Sequence, residues 1–216
     1  MPNAEQPGRD CALCPRLKAF RDDNRIRHPD FFNAPVPAFG DLAAEVLIVG
    51  LAPGLKGANR TSRPFTGDYA GDLLYATLAR HGLSRGSYAA RADDGLALTR
   101  CRITNAVRCV PPENKPTPEE ARNCRRFLVG EIASLPRLRT ILALGRIAHD
   151  QVLAALGLKR AAYPFRHGAL HALPDGKRLA DSYHCSRYNT NTGVLTEAMF
   201  DAVVGRIVEG LSLSRA

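Results

Sequence analysis

Short apolar runs alternate with longer amphipathic segments along this chain. Residues 45–49 and 140–144 are compact apolar runs followed by glycine, and residues 100–105 carry β-branched side chains, so each run predicts a buried strand. A weaker fourth strand is predicted around Leu179 and Ala180. Apolar spacing and end signals predict helices over residues 16–27, 68–81, 118–134, 147–156 and 195–211. Strands that alternate with helices predict an α/β fold with a mainly parallel sheet.

The clearest helix start lies just before residue 118. Thr117 can cap the helix, Pro118 suits its first position, and Glu120 can close a capping box with Thr117. Gly82 is a suitable C-terminal cap for the helix over residues 68–81.

The composition bounds the class of protein. The chain has 216 residues without an evident repeat or domain boundary, so residues 1–216 are predicted to form one domain. Its 30 Lys and Arg against 21 Asp and Glu give a net charge of +9, which favours a polyanionic partner such as nucleic acid. No apolar stretch reaches the roughly 18 residues of a membrane span. The polar N-terminus lacks the apolar core of a signal peptide, so a soluble, intracellular monomer is expected.

The loop after the first predicted strand, residues 50–68, is rich in chemical groups. Loops that follow the strands of a parallel sheet meet at its carboxyl edge, where open α/β folds bind ligands. A long solvated loop is the alternative, although a linker needs neither cations nor an aromatic ring and an acid. The polar, cationic, aromatic and acidic residues of this loop are Lys56, Asn59, Arg60, Thr61, Ser62, Arg63, Phe65 and Asp68.

Two further loops are expected at the same edge. Asn105 ends the strand over residues 100–105, and its amide is costly to bury unless it bonds a neighbouring loop or the edge of a ligand. His184 follows the fourth strand, with Arg187 close behind it. An aromatic ring, an amide, a proton donor, an acid and several cations suit a nucleobase that has been flipped out of a nucleic acid.

The six cysteines of a chain expected inside the cell favour metal binding or reactive thiols over disulfides. Cys11 and Cys14 form a first pair, for which two ordinary buried cysteines are the alternative, and Cys109 and Cys124 form a second, widely spaced pair. Four thiolates fit either a [4Fe–4S] cluster or a structural zinc ion, and the wide spacing of the second pair favours iron–sulfur over a common zinc ribbon. The four candidate ligands are Cys11, Cys14, Cys109 and Cys124.

The two remaining cysteines are given simpler interpretations. Cys101 lies inside a predicted strand and is interpreted as a small core residue. Cys185 stands beside His184, but adjacent side chains rarely point the same way, so a nucleophile–base pair is not favoured there.

Five short segments of the three loops form a combined pattern. They are residues 50–54 (Gly-Leu-Ala-Pro-Gly), 59–61 (Asn-Arg-Thr), 65–68 (Phe-Thr-Gly-Asp), 104–109 (Thr-Asn-Ala-Val-Arg-Cys) and 182–184 (Ser-Tyr-His). Together they resemble the uracil-DNA glycosylase superfamily, and most closely its type B, or fifth, family. The resemblance runs from Cys11 to the final helix. It implies a three-layer α/β/α sandwich with a central four-stranded, mainly parallel sheet, and a [4Fe–4S] cluster held by the four cysteines, two of which residues 1–40 contribute.

The resemblance implies a prokaryotic, cytoplasmic enzyme of base-excision repair that acts on nucleoid DNA. It would hydrolyse the N-glycosidic bond of a deaminated base, uracil first, with hypoxanthine and other bases as further substrates. Duplex DNA is the expected partner, with single-stranded DNA as a second one. Asp68 would orient water or stabilise an oxocarbenium-like sugar, His184 would donate a hydrogen bond to the leaving base, and Asn105 would read the edge of the base.

The same resemblance implies which residues hold the substrate. The catalytic residues would be Asp68, His184 and Asn105. The base would be bound by Gly50, Ala52, Pro53, Gly54, Phe65 and Asn105. The DNA would be contacted by Asn59, Arg60, Arg63, Arg187 and Tyr188.

Two positions depart from the superfamily pattern. Leu51 and Ala52 stand where most members keep a polar or acidic residue that handles water. Type B enzymes share this absence, and in them the acid of the Phe-Thr-Gly-Asp segment, here Asp68, is the proposed substitute. The final motif lacks its usual proline and reads His-Cys-Ser at residues 184–186, so Arg187 and Tyr188 would wedge into DNA from a looser loop.

A non-catalytic iron–sulfur module that binds DNA or senses damage is the alternative function. The cysteines and the positive charge fit it equally well, but binding alone requires neither Asp68 nor His184. A type A relative would carry an acid after Gly50, and a covalently trapping relative would carry histidine within residues 54–65, which hold none. These features favour the type B assignment.

Overall fold

The structure of the protein, a computed structural model, describes residues 5–212. The strands, in chain order, are β1 (Val46–Gly50), β2 (Ser84–Arg85), β3 (Ala97–Leu98), β4 (Cys101–Asn105), β5 (Thr140–Leu144), β6 (Leu170–Ala172) and β7 (Arg178–Ser182). Five of them form the central sheet in the order β4–β1–β5–β7–β6, and β2 and β3 form a separate hairpin. All neighbours in the central sheet are parallel except β6 and β7. The predicted α/β class with a mainly parallel sheet is confirmed.

The edge strand β6 makes the sheet five-stranded, where four strands were expected. It is only three residues long, and both Leu170 and Ala172 are exposed. Such a strand buries no apolar face of its own, so the sequence gives no alternating pattern by which to recognise it.

The helices agree with the predicted segments to within two residues at most ends. In chain order they are α1 (Pro15–Arg27), α2 (Ala58–Thr61), α3 (Tyr69–Arg80), α4 (Pro118–Ala133), α5 (Arg146–Ala155), α6 (Arg187–Asn191) and α7 (Glu197–Ser212), with 3₁₀ turns at Pro112–Asn114 and Arg160–Ala162. The predicted capping box of α4 is present, because Thr117 Oγ1 accepts from the Glu120 amide at 3.2 Å and Glu120 Oε2 accepts from the Thr117 amide at 2.7 Å. The short helices α2 and α6 lie within loops and were not predicted.

Alternate residues of the central strands face opposite layers. Val46 and Ile48 of β1 pack in one apolar cluster with side chains of α3 and α7. Leu47 and Val49 pack in a second cluster with side chains of α4 and α5. Both faces of the sheet are therefore covered by helices, which is why its strands read as continuous apolar runs.

The parallel register aligns the strand ends that carry the candidate site. Gly50 at the end of β1 lies opposite Asn105 at the end of β4, and Leu144 of β5 lies opposite Ser182 of β7. The loops that leave these ends therefore start side by side at one edge of the sheet. Within residues 5–212, no helix combines the length and the apolar character that crossing a membrane requires.

Candidate active site and cysteine centre

The carboxyl edge of the sheet opens into a cleft of about 560 Å³, and a smaller cavity of about 40 Å³ adjoins it. Asp68 and His184 line both spaces, and Phe65 and Asn105 line the smaller one. The three loops that were expected to converge do meet here. The predicted base-binding residues Ala52, Pro53 and Gly54 line the smaller cavity too.

The side chains of Asn105 and Phe65 pack closely against the backbone of Gly50. A Cβ atom added at Gly50 would lie 2.4 Å from Asn105 Oδ1 and 2.6 Å from Phe65 Cζ, so only glycine permits this approach. The Asn105 side chain is buried, yet no hydrogen bond within residues 5–212 uses its amide. An amide that is buried beside a cavity without an internal partner is suited to bind a ligand.

Phe65 adopts a strained backbone conformation that aims its ring at His184. Its φ of 52° lies in the left-handed region, which non-glycine residues rarely occupy, and such strain clusters at functional sites. The ring centroids of Phe65 and His184 are 5.8 Å apart, with the rings inclined by 31°. The Tyr88 hydroxyl donates to the Phe65 carbonyl at 3.3 Å and helps to hold this turn.

Asp68 lies at the N-terminus of α3, in a recess formed by two glycines. A Cβ atom would lie 2.2 Å from Asp68 Oδ2 if built at Gly57 and 3.1 Å from it if built at Gly54. Asp68 Oδ1 is buried and has no hydrogen-bond partner within the described part of the chain. Burial raises the pKa of the Asp68 carboxyl above its ordinary value. The carboxylate is therefore available to a ligand or to water.

His184 faces the same cavity from the loop after β7. Burial lowers its pKa to about 4, so the imidazole is neutral near pH 7 and can donate one N–H. The loop is fixed by its own hydrogen bonds, since Asn189 Nδ2 donates to the His184 carbonyl at 2.8 Å and Ser186 caps α6. The structure thus brings the three predicted catalytic side chains to one space.

The exposed cations of the predicted DNA surface flank the outer cleft. Arg60 is exposed on α2, and Arg187 lies over the ring of Tyr69 with its Cζ 5.4 Å from the ring centroid. Tyr188 is 74% exposed on the adjacent turn of α6. These three predicted DNA contacts remain accessible to a nucleic-acid backbone.

Arg63 does not belong to that surface. Its guanidinium is buried and makes a bidentate pair with Asp94, in which both N–O distances are 2.7 Å. Its Nε donates to Thr66 Oγ1 at 2.8 Å. The guanidinium also lies within 6 Å of the ring centroids of three aromatic residues, Phe39, Tyr75 and Tyr88. Arg63 is therefore committed to the fold and not available to a phosphate.

Asn59 is also interior. Its side chain is 1% exposed, and its Nδ2 donates to Asn33 Oδ1 at 2.9 Å. This bond ties α2 to the segment that follows α1. The expected DNA contact of Asn59 is therefore replaced by a structural one.

The four candidate metal-binding cysteines meet beside α4, with two of them buried and two partly exposed. They line one cavity of about 20 Å³ whose remaining wall is mostly apolar. The backbone N–H of Arg108 donates to Cys124 Sγ at 3.3 Å, and Asn123 Nδ2 lies 3.9 Å from Cys14 Sγ. The set consists of Cys11, Cys14, Cys109 and Cys124.

The other two cysteines lie in the apolar core. Cys101 and Cys185 are both fully buried among the side chains that pack between the sheet and α3 and α7. Cys101 therefore occupies the core position that its strand predicts. Cys185 faces away from the cleft, although it adjoins His184 in sequence.

A buried His–Asp–His network was not predicted. His149 Nδ1 lies 2.6 Å from Asp181 Oδ1, and His149 Nε2 lies 2.8 Å from the Tyr163 carbonyl, so both ring nitrogens face acceptors. Burial opposes a charge on His149, but the bond to Asp181 prevails and raises its pKa. His171 Nε2 lies 3.0 Å from Asp181 Oδ2. The one sequence signal was Asp181 itself, an acid that interrupts an apolar strand three residues before His184.

Known proteins are similar to this chain in sequence. The family model of the uracil DNA glycosylase superfamily matches residues 37–207. A type-5 uracil-DNA glycosylase of Thermus thermophilus is 50% identical over 195 residues, which cover 88% of this chain and 89% of the relative. A type-5 enzyme of Pyrobaculum aerophilum is 42% identical over 201 residues, which cover 91% of this chain and 87% of the relative.

A type-4 uracil-DNA glycosylase of Pyrobaculum aerophilum is 37% identical, but over only 123 residues, which cover 56% of this chain and 55% of the relative. The likeness to the type-5 proteins thus extends over far more of the fold. Because the superfamily match includes the β1 loop, Asn105 and His184, and the type-5 relatives align almost end to end, this chain belongs to the uracil-DNA glycosylase superfamily.

Proposed function

We propose that this protein is a DNA-repair glycosylase that removes uracil by hydrolysing the bond between the base and its deoxyribose. The observation that carries the proposal is the meeting of Asp68, Asn105 and His184 around one cavity, with Phe65 between them. Asp68 Oδ1 and the Asn105 amide have no hydrogen-bond partner within residues 5–212 that would occupy them elsewhere. A module that only binds DNA has no use for an acid and a histidine in this position.

The site suits a base that has been flipped out of the duplex. Phe65 offers a stacking face, and the Asn105 amide offers one acceptor and two donors for the edge of the base. Gly50 lets both side chains approach the backbone of β1, and so fixes where the base edge would lie. Ala52, Pro53 and Gly54 would form the remaining wall of the pocket.

His184 would stabilise the leaving base. When the bond from the sugar C1′ to the base nitrogen breaks, the bonding electron pair leaves with the base. A neutral imidazole can donate its N–H to the base oxygen on which this negative charge develops. Partial burial of His184 lowers its pKa to about 4 and so keeps it neutral near pH 7.

Asp68 would act on the sugar side. The oxygen of a water molecule must bond to C1′ as the base departs, and one proton of that water must leave. The Asp68 carboxylate can accept a hydrogen bond from the water, take this proton, and hold negative charge against the cationic sugar. Leu51 and Ala52, which also line the cleft, can do none of this.

Base selectivity would rest mainly on Asn105. The neighbouring Leu51 and Ala52 add no polar group to the cleft, so few contacts would reject a base other than uracil. We therefore propose uracil as the first substrate, with hypoxanthine and other deaminated bases as further ones. Arg60, Arg187 and Tyr188 would contact the backbone of duplex DNA, with single-stranded DNA as a second substrate.

We also propose that the four cysteines hold a [4Fe–4S] cluster. They line a single cavity with apolar walls and N–H donors to sulfur, which is the environment such clusters require. Within residues 5–212, the only set of three or more ligand atoms mutually within 4.8 Å is formed by His149, His171 and Asp181. A tetrahedral zinc ion would bring four sulfurs to within about 3.8 Å of one another. Among the described residues, no three of the cysteine sulfurs lie mutually within 4.8 Å, so this spacing is not present.

The cluster would act as a cross-link. It would fasten the segment before α1 to the β4–α4 connection and to α4, and it lies outside the cleft where hydrolysis takes place. When bound, it supplies coordination bonds in place of the disulfides that a reducing cytoplasm does not permit.

A base-panel assay tests the proposed function. Duplexes that carry a single uracil, hypoxanthine or unmodified base are incubated with excess protein, and abasic sites are cleaved with alkali and counted. We expect cleavage at uracil, with single-turnover rates reduced by at least about 100-fold in Asp68→Ala and in His184→Ala. Asp72→Ala, which removes an exposed acid one turn along α3, is the matched control and should retain the wild-type rate.

The possible results separate the alternatives. Tight binding of DNA without any abasic product would refute the glycosylase and support the binding module. Cleavage that survives both Asp68→Ala and His184→Ala would leave the activity standing but refute these residue roles.

A further inference from the structure

Arg21 of α1 is a buried cation without a carboxylate partner. Its side chain is 1% exposed, and within the described residues no Asp or Glu oxygen lies within ion-pair distance of it. Nη2 donates to the Cys11 carbonyl at 2.9 Å, and Nη1 lies 3.6 Å from Cys109 Sγ. Nε is buried and has no partner among residues 5–212.

The other two buried arginines among residues 5–212 are both paired with a carboxylate. Arg63 is paired with Asp94 at 2.7 Å, and Arg108 is paired with Glu131 at 3.0 Å. A guanidinium that is removed from water is strongly disfavoured unless an anion compensates its charge. Arg21 therefore has no carboxylate in direct contact, and the sulfur of Cys109 is the group it touches that can carry a negative charge.

We propose that Arg21 is the counter-ion of the [4Fe–4S] cluster and raises its reduction potential. This inference rests on the cofactor proposed above. Four thiolates and a [4Fe–4S]²⁺ core carry a net charge of −2, and one-electron reduction makes it −3. A fixed positive charge beside the cluster favours the more negative, reduced form. The Nη1–H group aimed at Cys109 Sγ also draws electron density from that sulfur.

The same side chain joins the two halves of the cysteine set. Cys11 belongs to the segment before α1, and Cys109 to the connection after β4, 88 residues from Arg21. One guanidinium contacts both, through the Cys11 carbonyl and the Cys109 sulfur. Its removal should therefore weaken the shielding of the cluster as well as shift its potential.

Two substitutions separate charge from geometry. Arg21→Gln removes the charge, and Arg21→Lys keeps it but presents only one donor group in place of the planar fork. Arg27→Gln, which removes an exposed cation from the last turn of the same helix, is the matched control. Each protein is purified without oxygen, and its iron content and visible absorbance are measured first.

The midpoint potential of the cluster is then measured by voltammetry on an electrode that supplies the electron. We expect the midpoint potential of Arg21→Gln to be lower than that of the wild type, and that of Arg21→Lys to lie between the two. Arg27→Gln should have the wild-type potential. In air, the half-life of the visible absorbance should shorten in the same order. Loss of iron from Arg21→Gln together with its retention in Arg21→Lys would also support the requirement for a charge.

The two proposals fail in different ways. Wild-type protein that contains no iron would refute the cluster itself. Iron-loaded wild-type and Arg21→Gln proteins with the same potential and the same half-life in air would refute the role of Arg21 and leave the cluster standing.

Discussion

Gly50→Ala tests the geometry of the base pocket most directly. Gly50 ends β1, and its backbone is approached from one side by the Asn105 amide and by the Phe65 ring. Gly50 has no positive φ, so alanine introduces no backbone strain and the strand should still form. The added methyl group would instead act on the two side chains that are proposed to hold the base.

The size of the effect follows from two distances. The new Cβ would lie 2.4 Å from Asn105 Oδ1 and 2.6 Å from Phe65 Cζ, whereas ordinary contacts begin near 3.4 Å. Both groups must therefore retreat by roughly 1 Å, and an error of this size in a reacting geometry can lower a rate about 100-fold. The loss should appear in the single-turnover rate, because the amide and the ring are displaced from the positions in which the reacting base would be held.

The assay is single-turnover cleavage of a duplex with one uracil, with protein in excess. Gly130→Ala serves as the control, because Gly130 lies on α4, away from the cleft, and the nearest atom to an added Cβ is 3.7 Å away. That variant should cleave at the wild-type rate and gain roughly 0.5–1 kcal/mol of helix stability. If Gly50→Ala folds and cleaves uracil as fast as the wild type, then Asn105 and Phe65 do not hold the base in the proposed way.

Two further predictions follow from the charges. Asp94→Asn would leave Arg63 buried without its counter-ion, so the free energy of unfolding should fall by roughly 3 kcal/mol in urea titrations at pH 7, whereas exposed Asp93→Asn should change little. Arg63 holds the pKa of Asp94 well below its usual range. The stabilisation of the fold by this ion pair is therefore present above about pH 4 and is lost as the pH falls further. Equal unfolding free energies of Asp94→Asn and Asp93→Asn would contradict the prediction. The cleavage rate should be constant near pH 7 and fall as the pH approaches about 4, because His184, with a pKa of about 4, must be neutral. Asp68, whose pKa is raised by burial, must also be ionised, so its protonation adds to this fall. A rate that stays constant below about pH 4 would contradict these assignments.

Local patterns were sufficient for the central strands and the long helices. The strands β1 and β5 are apolar on both faces because helices cover both, and such runs are visible in any window of five residues. The capping box at Thr117 and Glu120 is equally local, since its two hydrogen bonds join residues three apart. The strand order follows less directly, because it depends on which runs pair across the sheet.

The sequence did not predict which individual polar side chains are buried and which are exposed. Arg63 and Arg60 stand three positions apart in a loop of similar composition, yet one is buried and the other exposed. What separates them is Asp94, 31 residues further along, on a turn that no periodicity announces. The sequence likewise places Arg21 only within a predicted helix, because its contact with Cys109 spans 88 residues. Long-range partners decide which cations serve the fold and which remain free for a ligand.

Asp68 shows how the fold supplies the acid that the β1 loop lacks. An aspartate at the N-cap normally turns its carboxylate onto the first amides of the helix, which stabilises the helix by about 1 kcal/mol. Asp68 occupies that position at α3, yet its side chain makes no capping hydrogen bond. The carboxylate instead enters the recess left by Gly54 and Gly57, with Oδ1 buried and unpartnered. Helix α3 therefore lacks the stabilisation that a capping hydrogen bond would give. The positive end of its dipole still faces the Asp68 carboxylate and favours the ionised form, whereas burial favours the protonated form. Leu51, on the wall of the same cleft, has no polar group that could bind water. We therefore infer that Asp68 is positioned for chemistry on the substrate and not for stability of the helix.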